Sequence, residues 1–212
     1  ATGLNYIPVG GAPLWADFAP TRNELIVANA GADSSSPGTV SIISIPLCSV
    51  TSLPTNPSCD PNNPVDSNQF GTVLATVPVG INPVMVAVLQ DGTRAYVANA
   101  GDPSLPCAAT AVAGVSTVCS VSVINLTSNT VTATITGLPD TGTTGATCTT
   151  SSPKTLCGHP GWIAATTGSP AGKVYVTSLD STNLSIIRTD TDSISTIVTL
   201  QGKGVAVRVT AP

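Results

Sequence analysis

Charge is scarce in this chain. Asp, Glu, Lys and Arg make up 8 % of 212 residues, with one histidine (His159), one glutamate (Glu24) and one methionine. The seven Lys and Arg are scattered singly and the net charge is −4. Neutralising phosphates needs a basic stripe, so nucleic acid is excluded as an expected partner. No run of 18 or more apolar residues is free of Pro, Gly or polar interruption, which removes a transmembrane helix. No Gly-x-Ser-x-Gly is present, and a Ser-His-Asp triad would have His159 as its sole base. The glycine-rich segment 137–145 lacks Gly-Lys-Ser/Thr and reads as a loop rather than a phosphate cradle. No Asp-rich twelve-residue loop exists, so Asp33, Asp102 and Asp180 read as turn formers rather than calcium ligands. His159, beside Pro160, reads as a solvated loop histidine. No cofactor and no metal is expected, and the inventory points away from an enzyme.

What is abundant is Gly, Pro, Ser, Thr, Val and Ala, which favours short strands and tight turns over helices. Six cysteines fall into three close pairs, Cys48 with Cys59, Cys107 with Cys119, and Cys148 with Cys157. Three local disulfides are the expected reading, each closing a loop and contributing roughly 2–3 kcal/mol in the chain-entropy picture. They imply an oxidising compartment, hence an extracellular or cell-surface protein. Zinc is the rival reading, but Cys-x-x-Cys is absent and only one histidine is available. The start at Ala1, without Met, fits a mature product after signal-peptide removal and fits a fragment equally.

One pattern recurs three times, with loops of different length inserted into it. Each copy opens on a Pro: Gly11-Ala12-Pro13, Ile81-Asn82-Pro83 and Gly158-His159-Pro160. An apolar first strand follows, then a turn, of which Asp91-Gly92-Thr93 is the strongest hairpin signal. Second strands are 25–30, 95–100 and 174–178, and third strands are 39–45, 120–124 and 183–187, the third strands with an alternation close to period two. Fourth strands are 72–77, 130–135 and 194–199. Four strands per unit define a propeller blade. The expected blades span about 13–79, 83–138 and 160–201 within a single domain, 1–212.

The middle copy carries Pro83, Asp91-Gly92, Tyr96-Val97-Ala98-Asn99, Ser120-Val121-Ser122-Val123-Ile124 and Ala133-Thr134-Ile135 in that order. In this it resembles the YVTN-type β-propeller repeats. The outer copies depart, with Ile26 in place of the Tyr and Ser178 in place of the Asn. The resemblance implies an all-β array of four-stranded antiparallel blades and implies little about function, since such propellers serve many roles.

Three blades do not close a ring of four to eight. The segments 4–9 (Leu4, Tyr6, Val9) and 205–210 (Val205, Val207, Val209) resemble the fourth strand of a preceding blade and the first strand of a following one. Open edges and faces would favour assembly with other copies, including strand donation into a filament or surface layer. The alternative is a binding module within a larger secreted propeller, recognising a protein or glycan with its cysteine-bearing loops. Trp15 and Trp162 recur at one repeat position and read as inter-blade packing. Asn125 and Asn183 satisfy the N-glycosylation pattern.

Overall fold

A computed structural model describes residues 6–46, 59–60, 63–67, 70–105, 107, 119–136, 154–166 and 172–209. These residues form strands and turns and contain no helix. The first blade comprises β1 (Pro13–Ala19), β2 (Glu24–Asn29), β3 (Pro37–Ser44) and β6 (Thr72–Ile81), with a small hairpin of β4 (Cys59–Asp60) and β5 (Asn63–Ser67) inserted before β6. The second comprises β7 (Pro83–Val88), β8 (Arg94–Asn99), β9 (Ser120–Asn125) and β10 (Thr130–Thr136). The third comprises β11 (Pro160–Ala165), β12 (Lys173–Ser178), β13 (Asn183–Arg188) and β14 (Ser193–Thr199). Every neighbouring pair is antiparallel, and each blade runs in sequence order from its first strand to its fourth.

Turn chemistry accounts for the reversals. Gly92, at φ 68°, sits in the left-handed region that an Asp-Gly turn needs, and Asn23, Asn129 and Asp192 do the same at other hairpins. The junctions into the first two blades share an unusual residue before proline: Ala12 at φ 48° and Asn82 at φ 50°. Their carbonyls accept the N–H of Ala30 and Ala100, which ties each blade entry to the end of the second strand.

Period-two alternation gives each blade two apolar faces, one toward the preceding blade and one toward the next. Ile26, Ala28, Val40, Ile42 and Val77 of the first blade pack against Val86, Val88, Ala95, Val97 and Ile124 of the second. One residue along each strand, Ala87, Tyr96, Ala98, Val121, Val123 and Ile135 pack against Ile163, Val174, Val176, Ile187 and Ile194 of the third. The core is therefore two inter-blade layers. Polar ties cross them as well: Asp17 Oδ2 accepts the Val88 N–H at 2.8 Å, and Tyr96 donates its hydroxyl to Asp192 Oδ1 at 2.6 Å.

The terminal segments differ from expectation. Within the described residues, neither 6–9 nor 203–209 forms a strand. The reason is physical: a strand needs a ladder partner, and the partners for these two would be strands of blades outside the described array. The N-terminal segment nonetheless takes the place the repeat assigns to it. Gly10 lies against Asn29 and Thr39 of the first blade as Gly80 lies against Asn99 and Ser120 of the second. The Gly10 N–H donates to Ser41 Oγ at 3.3 Å.

Candidate functional site: an open blade face, an axial cleft and a sulfur–imidazole cluster

The third blade repeats the alternation of the second. Val174, Val176 and Ile187 turn toward the second blade, so Tyr175, Thr177, Leu184 and Ile186 turn the other way. Val198 stands opposite Leu184 on β14. These five correspond, strand by strand, to Tyr96, Ala98, Val121, Val123 and Ile135, which are at most 8 % exposed because the third blade covers them. On the third blade Tyr175, Leu184 and Ile186 are half-buried and Val198 is 40 % exposed. The tail lies against this face: a Cβ on Gly204 would lie 2.7 Å from the Thr177 Cβ. Thr177 Oγ1 is buried without a hydrogen-bond partner, a polar atom set in an apolar face. The described array thus ends on a surface that the repeat elsewhere buries under a further blade.

A second feature lies at the inner strands. A β-bulge after the opening Pro recurs in all three blades, between Pro13 and Trp15, Pro83 and Met85, and Pro160 and Trp162. The extra residue re-aims the side chain after it, so Trp15, Met85 and Trp162 converge. Together with Val84, Gly161 and Leu179 they line an apolar cleft of about 210 Å³. The indoles of Trp15 and Trp162 meet edge to face at 6.0 Å between centroids, joining the first blade to the third across the second. The expected inter-blade packing is therefore axial, and Trp15 stays 40 % exposed.

The third feature corrects the reading of His159. This residue is buried, 8 % exposed, rather than solvated. Its Nδ1 lies 2.6 Å from the Ala100 carbonyl oxygen, which requires a hydrogen on that nitrogen, and 3.2 Å from Cys119 Sγ. Nε2 faces Asp180 Oδ2 at 3.8 Å. Cys119 is disulfide-bonded to Cys107. Cys107, Cys119 and His159 offer ligand atoms that all lie within 4.8 Å of one another, the one such group of three among the described residues. The inter-blade connection 154–160 delivers the imidazole to a disulfide of the preceding blade, a proximity that cysteine spacing alone does not contain.

Cys157 is also disulfide-bonded, whereas Cys48 and Cys148 lie outside the described residues and the side chain of Cys59 is not described. Leu4 lies outside as well. Tyr6 is 86 % and Val205 79 % exposed, while Val9, Val207 and Val209 are half-buried. Asn125 accepts the N–H groups of Thr127 and Ser128 and so shapes its own turn. Asn183 is engaged through both amide atoms, donating to Ser181 Oγ and accepting from Thr199. Asp33 and Asp102 form the expected turns, each holding a serine two residues on, and those serine donors keep both carboxyls below the usual range. Asp180 instead accepts the backbone N–H of His159 and the Ser178 hydroxyl. Burial first, and then the bond to Asp192, pushes the Tyr96 phenol well above the ordinary tyrosine range.

Similar architecture occurs in solved structures. The chain aligns with U3-55K at TM-score 0.55 and 12 % identity, covering 95 % of this chain and 43 % of that one. The WD40 repeats of RRP9 align at TM-score 0.55 and 13 % identity over 95 % of this chain and 43 % of theirs. Hydrazine synthase of Kuenenia stuttgartiensis aligns at TM-score 0.55 and 17 % identity over 96 % and 40 %. The fold is of β-propeller type, and the chain spans less than half the length of each of these structures. No protein-family model and no curated protein matches the sequence.

Proposed function

We propose that this chain is a non-catalytic protein-binding scaffold of the extracellular space that associates with further copies of itself. The open face of the third blade is the observation that carries this reading. Five of its positions repeat the ones the second blade buries, so a surface of blade-like chemistry is its natural complement. At the other end of the array Val27, Asn29, Ser41 and Ile43 of the first blade, the counterparts of Val97, Asn99, Ser122 and Ile124, are at most 7 % exposed, and the exposed apolar side chains of that blade include Leu14, Phe18 and Leu74. A contact between the two ends of successive copies is head-to-tail and does not close by two-fold symmetry, which favours a ring or a filament. The Tyr-Val-x-Asn pattern of the middle blade supports a place among YVTN-type repeats.

The test is the size distribution of the wild-type chain beside Ile186→Glu, by sedimentation velocity and electron microscopy. A carboxylate in the middle of the open face must be desolvated in any apolar contact made there, so association falls by at least about a hundredfold while melting behaviour is kept. A second reading, in which further blades of the same protein cover this face, is favoured by the 40–43 % coverage of the solved propellers. Intact mass of the native protein separates the two.

A further inference from the structure

The tail after β14 follows the register of the repeat. Val40 pairs with Val77 in the first blade and Leu184 with Val198 in the third, so Val198 stands where Val77 stands. The same steps onward bring Gly204 onto Pro83, Val207 onto Val86 and Val209 onto Val88. On β7, Val86 and Val88 face the first blade and are buried there, whereas Met85 and Ala87 face the third. The tail repeats this alternation: Val207 and Val209 are half-buried, while Ala206 and Arg208 are exposed. Its seat repeats as well. Pro83 and the Asn29 carbonyl both crowd Gly38 of β3, and Gly204 crowds Thr177, the neighbour of Ser178, which is the counterpart of Asn29.

One segment in this place covers only part of the open face. Thr177 is 3 % exposed, whereas Val198, on the outermost strand, is 40 % exposed. Residues 203–209 form no strand, so no ladder of backbone hydrogen bonds holds them. Thr177 Oγ1, buried at the seat, has no hydrogen-bond partner among the described residues, which weakens the contact further. We infer that residues 203–209 are a releasable strap, seated where the first strand of a following blade would lie, which a second copy of the chain must displace to cover Tyr175 and Thr177. The inference rests on the reading of this face as an association surface. Tail and partner copy compete for one site, so the apparent affinity between copies is reduced to the fraction of chains whose tail is released.

The experiment compares the full wild-type chain with Val207→Ser/Val209→Ser, which removes both apolar anchors without adding charge. Trypsin cleavage after Lys203 and Arg208, both exposed, reads release of the tail, and sedimentation velocity reads association. The expected result is cleavage at least about fivefold faster and association at least about tenfold tighter in the variant, with unchanged melting. A chain stopped after Leu200 gives the same gain in association by a second route. An unchanged cleavage rate would show that the tail has no seat and overturn the inference. Association of the wild type with no gain in either variant, or with a loss, overturns the strap alone and leaves the association surface standing. Absence of association in all three chains overturns that surface, and the competition with it.

Discussion

Tyr96→Phe isolates one polar tie between the second and third blades. The Tyr96 ring is fully buried in the inter-blade layer, and its hydroxyl donates to Asp192 Oδ1 at 2.6 Å. Arg94 Nη1 reaches the same oxygen at 2.8 Å and also donates to the Thr189 carbonyl. Phenylalanine keeps the ring and removes the donor, and Asp192 keeps its guanidinium, so no charge is stranded. A hydrogen bond to a charged acceptor contributes about 1.5–3 kcal/mol, and the remaining Arg94 contact puts this one at the lower end, about 1.5–2 kcal/mol. For a chain of this length that is roughly 3–8 °C in Tm at neutral pH. The pH dependence gives a second readout. The neutral phenol is favoured in the folded state, so its contribution is complete below about pH 10 and declines above it by up to about 1.4 kcal/mol per pH unit. Denaturant unfolding of wild type and variant at pH 9, 10 and 11 therefore shows a steeper loss for wild type. Equal Tm values at pH 7 together with parallel losses above pH 10 would refute the reasoning.

Other substitutions probe single features of the array. A Cβ at Gly38 would stand 2.3 Å from Pro83 Cδ and 2.4 Å from the Asn29 carbonyl oxygen, so Gly38→Ala costs about 3 kcal/mol in denaturant unfolding. Ala12 holds φ 48° where the next copy has Asn82, and Ala12→Asn therefore stabilises by about 0.5–1 kcal/mol, measured the same way. Removing the bond between Cys107 and Cys119, twelve residues apart, with a double serine substitution lowers stability by about 3 kcal/mol in non-reducing calorimetry.

Strand order and blade composition were legible because alternation and turn residues are local signals. Asp91-Gly92 marks its turn, and Ser120 to Ile124 alternates its faces, before any tertiary contact is known. The open face was legible too, since Tyr175, Leu184 and Ile186 stand in the register of Tyr96, Val121 and Val123 once the copies are aligned. The sulfur–imidazole cluster was not. His159 is 40 residues from Cys119 in sequence and reaches it only because one blade begins beside the loop of another. The axial meeting of Trp15 and Trp162 depends on three bulges and the angle between non-adjacent blades, neither of which alternation encodes. Segments 6–9 and 203–209 carry strand-like residues without a ladder, because a β pattern specifies a face to bury and not the partner that completes it.

The central claim is that the open face of the third blade associates with another copy of the chain. Sedimentation velocity over a wide concentration range, on the wild-type chain and Ile186→Glu, tests it most directly. The account predicts concentration-dependent assembly of the wild type into species larger than a dimer, and a variant that sediments as a monomer with unchanged melting. A wild-type chain that remains a monomer at every concentration, or a variant that assembles equally well, would contradict it.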